Sequence, residues 1–321
     1  MKAIAFTEYG SPDVLHLDEI DRPVPEDDQV LIRVMAASVN PLDWHSMRGE
    51  PFIMRASGGL TKPKANGLGA DLAGRVEAIG QNVSGFQLGD EVFGISIKTC
   101  AEYVRVSQDG IVPKPVNLTF EQAAAVPVAG LTALQGLRTR AQVQPGQKVL
   151  INGAAGGVGT FAVQIAKAFG AEVTGVCSTR NLDLVRSIGA DHVIDYTSQD
   201  FTEGDERYDV LFDAVGKRSL SECRRVLKAR GTLVIVGAAD GRWIGPLVPP
   251  LKATVLNRFV RQRLLWFVSN RDKADLLLLK DLIETGKVTP VIDRVYPLHD
   301  VPAAMRYLEE GHARGKVIIT V

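Results

Sequence analysis

The sequence predicts an α/β protein in which a doubly wound parallel-sheet domain is inserted into a mainly antiparallel β domain. Three observations carry this. Between residues 148 and 237, apolar runs without polar alternation are each followed by a helical segment, the pattern of a parallel sheet covered on both faces. Residues 1 to about 115 instead read as short strands broken by Gly and Pro. The last 55 or so residues return to that opening style and close on the strand "KVIITV". A chain that leaves one domain, builds a second and comes back places the first domain at 1–122 and 267–321 and the inserted one at 123–266.

The elements follow in order. "QVLIRVMAAS" (29–38) and "ADLAGRVEAIG" (70–80) are β-rich, and "SGFQLGDEVFG" (84–94) carries Gly-Asp turn chemistry. "TFEQAAAVPVAGLTALQGL" contains helix formers, with Thr119 as N-cap and Gln122 at capping-box spacing. "KVLING" is a strand, "VGTFAVQIAKAFG" a helix ending at a glycine, and "AEVTGVC" a second strand. "NLDLVRSIG" and "LSECRRVLKARG" read as helices; "HVIDY", "YDVLFDAVG" and "TLVIVGA" read as strands. The locally basic "LNRFVRQRLLWFV" (256–268) reads as a strand with solvated arginines. "KADLLLLKDLIETGK" is a helix in the returning part of the chain.

The stretch "INGAAGGVG" (151–159) lies after a predicted strand and opens a predicted helix, the position at which a glycine run holds a pyrophosphate. Gly156 lets the backbone approach the phosphates, Gly159 lets the helix pack against the strand, and Gly156, Gly157, Val158 and Gly159 form the binding stretch. Ala154 replaces the first glycine of the usual fingerprint. A packing turn without a ligand is the competing reading.

An NAD site carries a carboxylate about 20 residues further on, where it accepts hydrogen bonds from the adenosine ribose. Here the second strand ends in "CSTRN". Ser178, Thr179 and Arg180 offer hydroxyls and a guanidinium suited to a 2′-phosphate, so this Rossmann-type domain is expected to bind NADP(H). The bland alternative is that Arg180 is a solvated helix-start residue.

Composition narrows the function classes. The chain has 321 residues, 45% of them apolar and 23% charged, which is ordinary for a globular protein of about two domains. Lys plus Arg and Asp plus Glu both number 37, and no basic block stands out, so a nucleic-acid partner is not expected. Cys100, Cys177 and Cys223 are widely spaced and include no CxxC pair, which argues against a disulfide framework and fits a reducing compartment. "MKAIAFTEYG" lacks a signal-peptide core, and "LLLLK" (276–280) is far short of the roughly 20 apolar residues of a membrane span. A cytoplasmic protein without membrane attachment is expected.

"AGLTALQGL", "GAAGGVGTFAVQIAKAFGAEV", "GADHVIDY" and "DVLFDAVG", with "VNPLDWHSMRG" and "GADLAGRVEAIG" upstream, resemble the medium-chain dehydrogenase/reductase superfamily, in its zinc-independent quinone oxidoreductase-like branch. The resemblance covers essentially the whole chain and implies a GroES-like catalytic domain around the inserted Rossmann domain. Zinc-dependent members carry Cys and His ligands where this chain has Asn40 and Ala70, and no four-cysteine lobe lies between Glu91 and Pro113. No metal site is therefore expected. Without a zinc Lewis acid, a substrate whose conjugation disperses the incoming charge is easier to reduce, and quinones and α,β-unsaturated carbonyls fit.

The resemblance further implies that Asn40 and Asp43 line the catalytic site, with Asn40 near the nicotinamide or the substrate oxygen. It places Thr132, Tyr196, Gly237, Ala238 and Lys316 at the cofactor, Tyr196 beside the 2′-phosphate. Several relatives have a tyrosine shortly after the "NPxD" element, where this chain reads "WHSMRGEPF"; His45 and Arg48 are the only proton donors nearby, and the sequence assigns the acid to neither. A homodimer paired through edge strands, with "RLLWFV" as the edge, is implied as well. Two other readings compete: reduction of an enoyl thioester or another carbonyl on the same fold, and an NADPH-binding structural or regulatory protein without turnover.

Overall fold

Short, turn-linked early strands and continuously buried central ones form two different sheets. The computed structural model describes residues 1–64, 66–236 and 248–321. The strands, in chain order, are β1 (Lys2–Ala5), β2 (His16–Glu19), β3 (Gln29–Val39), β4 (Asp71–Ile79), β5 (Glu91–Ile95), β6 (Tyr103–Ser107), β7 (Ile111–Pro113), β8 (Lys148–Asn152), β9 (Glu172–Cys177), β10 (His192–Asp195), β11 (Tyr208–Asp213), β12 (Leu227–Ile235), β13 (Arg263–Trp266), β14 (Ile292–Pro297) and β15 (Lys316–Thr320).

The first unit comprises Met1–Leu131, Arg271–Glu284 and Pro290–Val321. Its main sheet has the order β14-β15-β3-β4-β5-β7, with β6 also paired to β3. Every pairing in it is antiparallel except β14 with β15. Ser38 of β3 stands opposite Asp71 of β4, and Val39 opposite Val317 of β15. The core beneath this sheet is built on Ile4, Phe6, Ile32, Met47, Leu72 and Ile319.

The second unit comprises Thr132–Asn270 and Thr285–Thr289. Its six described strands are all parallel, in the order β10-β9-β8-β11-β12-β13, which is the doubly wound 3-2-1-4-5-6 arrangement. Val149, Leu150 and Ile151 are buried without alternation, as strands covered on both faces must be.

The boundaries differ from 1–122, 123–266 and 267–321 for local reasons. Asp71 accepts the backbone N–H of Val128 at 2.7 Å, which ties the start of the helix Pro127–Leu134 to the first unit. Gln164 bonds both the N–H and the carbonyl of Thr289 at 2.8 and 2.9 Å, which ties residues 285–289 to the second.

The expected helix after Thr119 has its capping box, but it splits into Phe120–Ala124 and Pro127–Leu134, because Pro127 supplies no amide hydrogen to continue the first piece. It then runs into a π-helical turn, Gln135–Ala141. The "LSECRRVLKARG" helix is only Leu220–Arg225, and Leu227 already begins β12. Within 256–268 only Arg263–Trp266 is strand. Among the described residues no helix is long and apolar enough to cross a membrane.

Candidate active site

Strand order reverses between β8 and β11, and ligands of open α/β sheets bind outside the carboxyl ends at such a point. Those ends are Asn152 and Asp213. The buried Asp213 carboxylate accepts from Asn152 Nδ2 at 2.9 Å and from the N–H groups of Val215 and Gly216 at 3.0 Å each. It thereby ties the loop after β11 to the carboxyl end of β8. Sequence reasoning missed this pair; the signal was an acid closing the apolar strand "VLFD".

The glycine stretch itself is a close-packed turn. Gly153 has φ +85°, a left-handed conformation that favours glycine, and the N–H groups of Gly153 and Ala154 both donate to the Val176 carbonyl, at 3.2 and 3.0 Å. Gly156 occupies the N-cap position of the helix Gly157–Ala168. A Cβ on Gly159 would stand 2.0 Å from the Gly153 carbonyl oxygen, so only glycine lets the helix pack this closely.

Among the described residues a Cβ on Gly156 would meet nothing nearer than 3.4 Å, which leaves its outer side clear of them. The first-turn amides of Gly157, Val158 and Gly159 have no intrahelical acceptors, and the helix dipole adds partial positive charge. This donor set fits a pyrophosphate. Thr132 Oγ1 is engaged with Ser269 at 3.0 Å. Gly237 and Ala238 lie outside the described residues.

Beyond β9, Ser178 precedes the single turn Thr179–Asn181 and accepts from Asn181 Nδ2 at 3.2 Å. Arg180 is exposed, and Tyr196 is half-exposed directly after β10, its N–H on the Cys177 carbonyl at 3.0 Å. The structure adds a residue absent from the sequence reading. Asp195, at the end of β10, accepts the Thr179 hydroxyl at 2.6 Å, as well as the Thr197 N–H and hydroxyl. The Thr179 hydroxyl and then Thr197 hold its carboxyl below the usual carboxylate range. The second strand does end without an acid, yet the neighbouring strand brings one beside it.

In the first unit, two of the expected residues, Asn40 and Lys316, converge on a third residue, Asp71. Asn40, 3% exposed, follows β3 and is the N-cap residue of the helix Pro41–Arg48. Its Nδ2 donates to Asp71 Oδ2 at 2.9 Å, and its Oδ1 accepts from Lys316 Nζ at 2.5 Å. Asp71 also accepts from Ser38 Oγ at 2.5 Å and lies 3.2 Å from Lys316 Nζ. Asp71 and Lys316 are 0% and 4% exposed, so the ion pair is desolvated and depends on these added hydrogen bonds. Asp43, one helical turn on, accepts the Asn40 N–H at 2.7 Å and the Gly69 N–H at 2.9 Å. Burial pushes its carboxyl up to about 6.

The proton-donor candidates of the sequence have other partners. Arg48 forms a bidentate pair with Glu309 at 2.5 and 2.8 Å. His45 stacks on Trp44 with ring centroids 3.8 Å apart and places Nδ1 2.7 Å from the Glu50 carbonyl; burial lowers its pKa. The Cys100 thiol is buried, and desolvation together with Asp43 and Asp71 raises its pKa well above the usual value. Among the described residues no three His, Cys, Asp or Glu side chains are grouped to hold a metal. The cluster already contains its own cation, Lys316, and a neutral amide where a ligand would be needed. These residues do not fit a zinc site, and no step below runs through a metal.

Residues 26–136 match the alcohol dehydrogenase GroES-like domain, and residues 188–319 match the zinc-binding dehydrogenase family. Across 99% of its length the chain is 38% identical to a 2-methylene-furan-3-one reductase of Solanum lycopersicum, of which it covers 79%. The chain belongs to the medium-chain dehydrogenase/reductase superfamily. Within its quinone oxidoreductase-like branch the chain is also similar, at 38% identity over 99% of its length and 79% of the relative, to an NADPH-dependent alkenal/one oxidoreductase, chloroplastic, of Arabidopsis thaliana. Among solved structures, the quinone oxidoreductase of Coxiella burnetii superposes with a TM-score of 0.87 at 32% identity, over 100% of this chain and 99% of that one. The GroES-like and Rossmann architecture of the superfamily is that of the two units described above.

Proposed function

We propose that this superfamily member is an NADPH-dependent, zinc-independent oxidoreductase that reduces quinones or α,β-unsaturated carbonyls. The observation that carries the proposal is the buried Asn40 amide, held by a lysine and a carboxylate where zinc-dependent members place a metal ligand. An amide N–H stabilises negative charge gathering on a carbonyl oxygen without a metal, and a conjugated acceptor spreads that charge further. In this reading Gly156, Gly157, Val158 and Gly159 hold the pyrophosphate, Asp213 and Asn152 shape the crevice, and Ser178, Arg180 and Tyr196 face the adenosine end. The nicotinamide supplies the hydride. Asn40 holds the acceptor's oxygen; Asp43 keeps the Asn40 backbone in place. That the Arabidopsis relative is an NADPH-dependent alkenal/one oxidoreductase and the Coxiella one a quinone oxidoreductase supports both the cofactor and the acceptor class.

Steady-state oxidation of NADPH, with NADH alongside, against an ortho-quinone, a simple enal and an enoyl thioester tests the proposal. Turnover of the quinone or the enal is expected. Saturation with the enoyl thioester alone would move the substrate class, and tight NADPH binding without turnover of any acceptor would leave a binding protein. Asp195 favours one further reading, use of NADH, since a carboxylate beside Thr179 can accept from a free 2′-hydroxyl. Preferential turnover with NADH would select it.

We also read the chain as a homodimer joined through β13. Among the described strands β13 is the edge of the second unit's sheet, and Trp266 within it and Val268 just after it are 42% and 67% exposed. A monomer mass by light scattering would overturn this. Three free, buried cysteines support a reducing location, which we take to be the cytoplasm.

A further inference from the structure

The Asn40 side chain has one acceptor oxygen and two N–H donors, and their placement depends on which way the amide is turned. Its oxygen takes the Lys316 ammonium at 2.5 Å, and one N–H goes to Asp71 at 2.9 Å. The opposite orientation would set the amide NH2 against the ammonium and the amide oxygen against the carboxylate. Both contacts would be repulsive, in a place from which water is excluded.

Lys316 and Asp71 are themselves fixed. Val39 pairs with Val317 and Ser38 with Asp71, so Lys316 and Asp71 arrive on either side of the end of β3. The Lys316 N–H donates to the Val291 carbonyl at 2.9 Å, and Asp71 is further held by Ser38 Oγ and the Val128 N–H. The Lys316 ammonium faces Asn40 Oδ1, Asp71 Oδ2 and, at 3.5 Å, the Val39 carbonyl. Its three protons therefore all point at protein acceptors.

We propose that Lys316 is a positioning residue: with Asp71 it fixes the Asn40 amide in the one orientation that leaves the remaining N–H for the acceptor's carbonyl oxygen. The proposal rests on the reading of Asn40 given above, and it replaces the cofactor contact that the resemblance implied for Lys316. It also explains why a charged pair is retained in a buried position. A charged pair discriminates between the two ends of an amide, which apolar neighbours cannot do.

The test is a double-mutant cycle with a spectroscopic arm. Lys316→Met is expected to lower kcat for the preferred acceptor at least about tenfold while leaving the NADPH Kd within about twofold. In an Asn40→Ala background the same substitution is expected to change kcat by less than about twofold, because there is no amide left to orient. Lys316→Met combined with Asp71→Asn removes the unpaired buried charge and is expected to keep the kcat defect with a wild-type melting temperature. With 15N-asparagine labelling, the two Asn40 side-chain amide protons, assigned by their loss in Asn40→Ala, are expected to show unequal exchange in the wild type. That inequality should collapse in Lys316→Met.

An equal kcat loss in both backgrounds, or a raised NADPH Kd with unchanged kcat, would overturn the proposal. So would unchanged amide exchange in Lys316→Met. If the wild type turns over no acceptor, the reading of Asn40 as a substrate residue fails, while the amide spectrum still decides whether Lys316 orients it.

Discussion

Replacing Gly159 with alanine tests the phosphate cradle most directly. The new Cβ would lie 2.0 Å from the Gly153 carbonyl oxygen, 2.8 Å from its carbon and 2.9 Å from the carbonyl carbon of Ala154. Ordinary contact begins near 3.4 Å, so the helix start and the turn must separate by about 1.4 Å. Every one of these contacts is backbone, and rotating a side chain gives no relief. Overpacking of this kind costs about 1–3 kcal/mol, and for a unit of this size each kcal/mol lowers Tm by about 2–4 °C.

The larger effect falls on the ligand. A displacement of that size misaligns at least two amide-to-phosphate hydrogen bonds, each worth about 1.5–3 kcal/mol. At about 1.4 kcal/mol per tenfold, the NADPH Kd should rise by at least about 100-fold in calorimetric or fluorescence titration. Gly204→Ala is the control, since a Cβ there meets nothing within 4 Å. Wild-type affinity and Tm in Gly159→Ala would refute the argument that this glycine is required for helix–turn packing at a phosphate site.

Other predictions concern the adenosine end, the buried carboxyl and the thiols. Arg180→Ala should weaken NADPH by about 10- to 150-fold, the equivalent of one charge-assisted contact at about 1.5–3 kcal/mol, and leave NADH almost unchanged; equal losses for both cofactors would remove Arg180 from the 2′-phosphate. Asp43 has a folded-state pKa of about 6, above the ordinary value near 3.9, so the folded state binds this proton more tightly. Its contribution to stability is therefore present below about pH 4 and lost as pH rises through about 6. Relative to Asp43→Asn, the wild type should lose urea resistance across that interval, and parallel pH profiles of the two denaturation midpoints would contradict this. Cys100, Cys177 and Cys223 are buried and have raised thiol pKa values; Ellman's reagent should label them slowly in the native protein and all at once in denaturant. Rapid native labelling would show that burial does not protect them.

Local patterns were legible where one segment determines its own structure. The apolar run "KVLIN", the glycines at 153, 156 and 159, and the capping box of Thr119 and Gln122 all form as their residues dictate. Pro127, whose missing amide hydrogen splits one expected helix into two, was equally visible in the sequence. Asp195 could not be connected to Thr179 from sequence, because 16 positions separate them and only the parallel pairing of β9 with β10 brings them side by side.

Most of the candidate site lies on the non-local side of that division. Asn40 and Asp43 could be singled out from one short motif, and the hydrogen bond between them closes a single helical turn. Asp71 and Lys316 are separated from Asn40 by 31 and 276 positions, and no local pattern marks them as its neighbours. By itself the sequence determined the two sheet types, the glycine turn and the order of the elements, since periodicity and turn chemistry act over a few residues. Tertiary structure alone decided which charges surround the Asn40 amide and which carboxylate stands beside Thr179, because strand register couples residues across the whole chain.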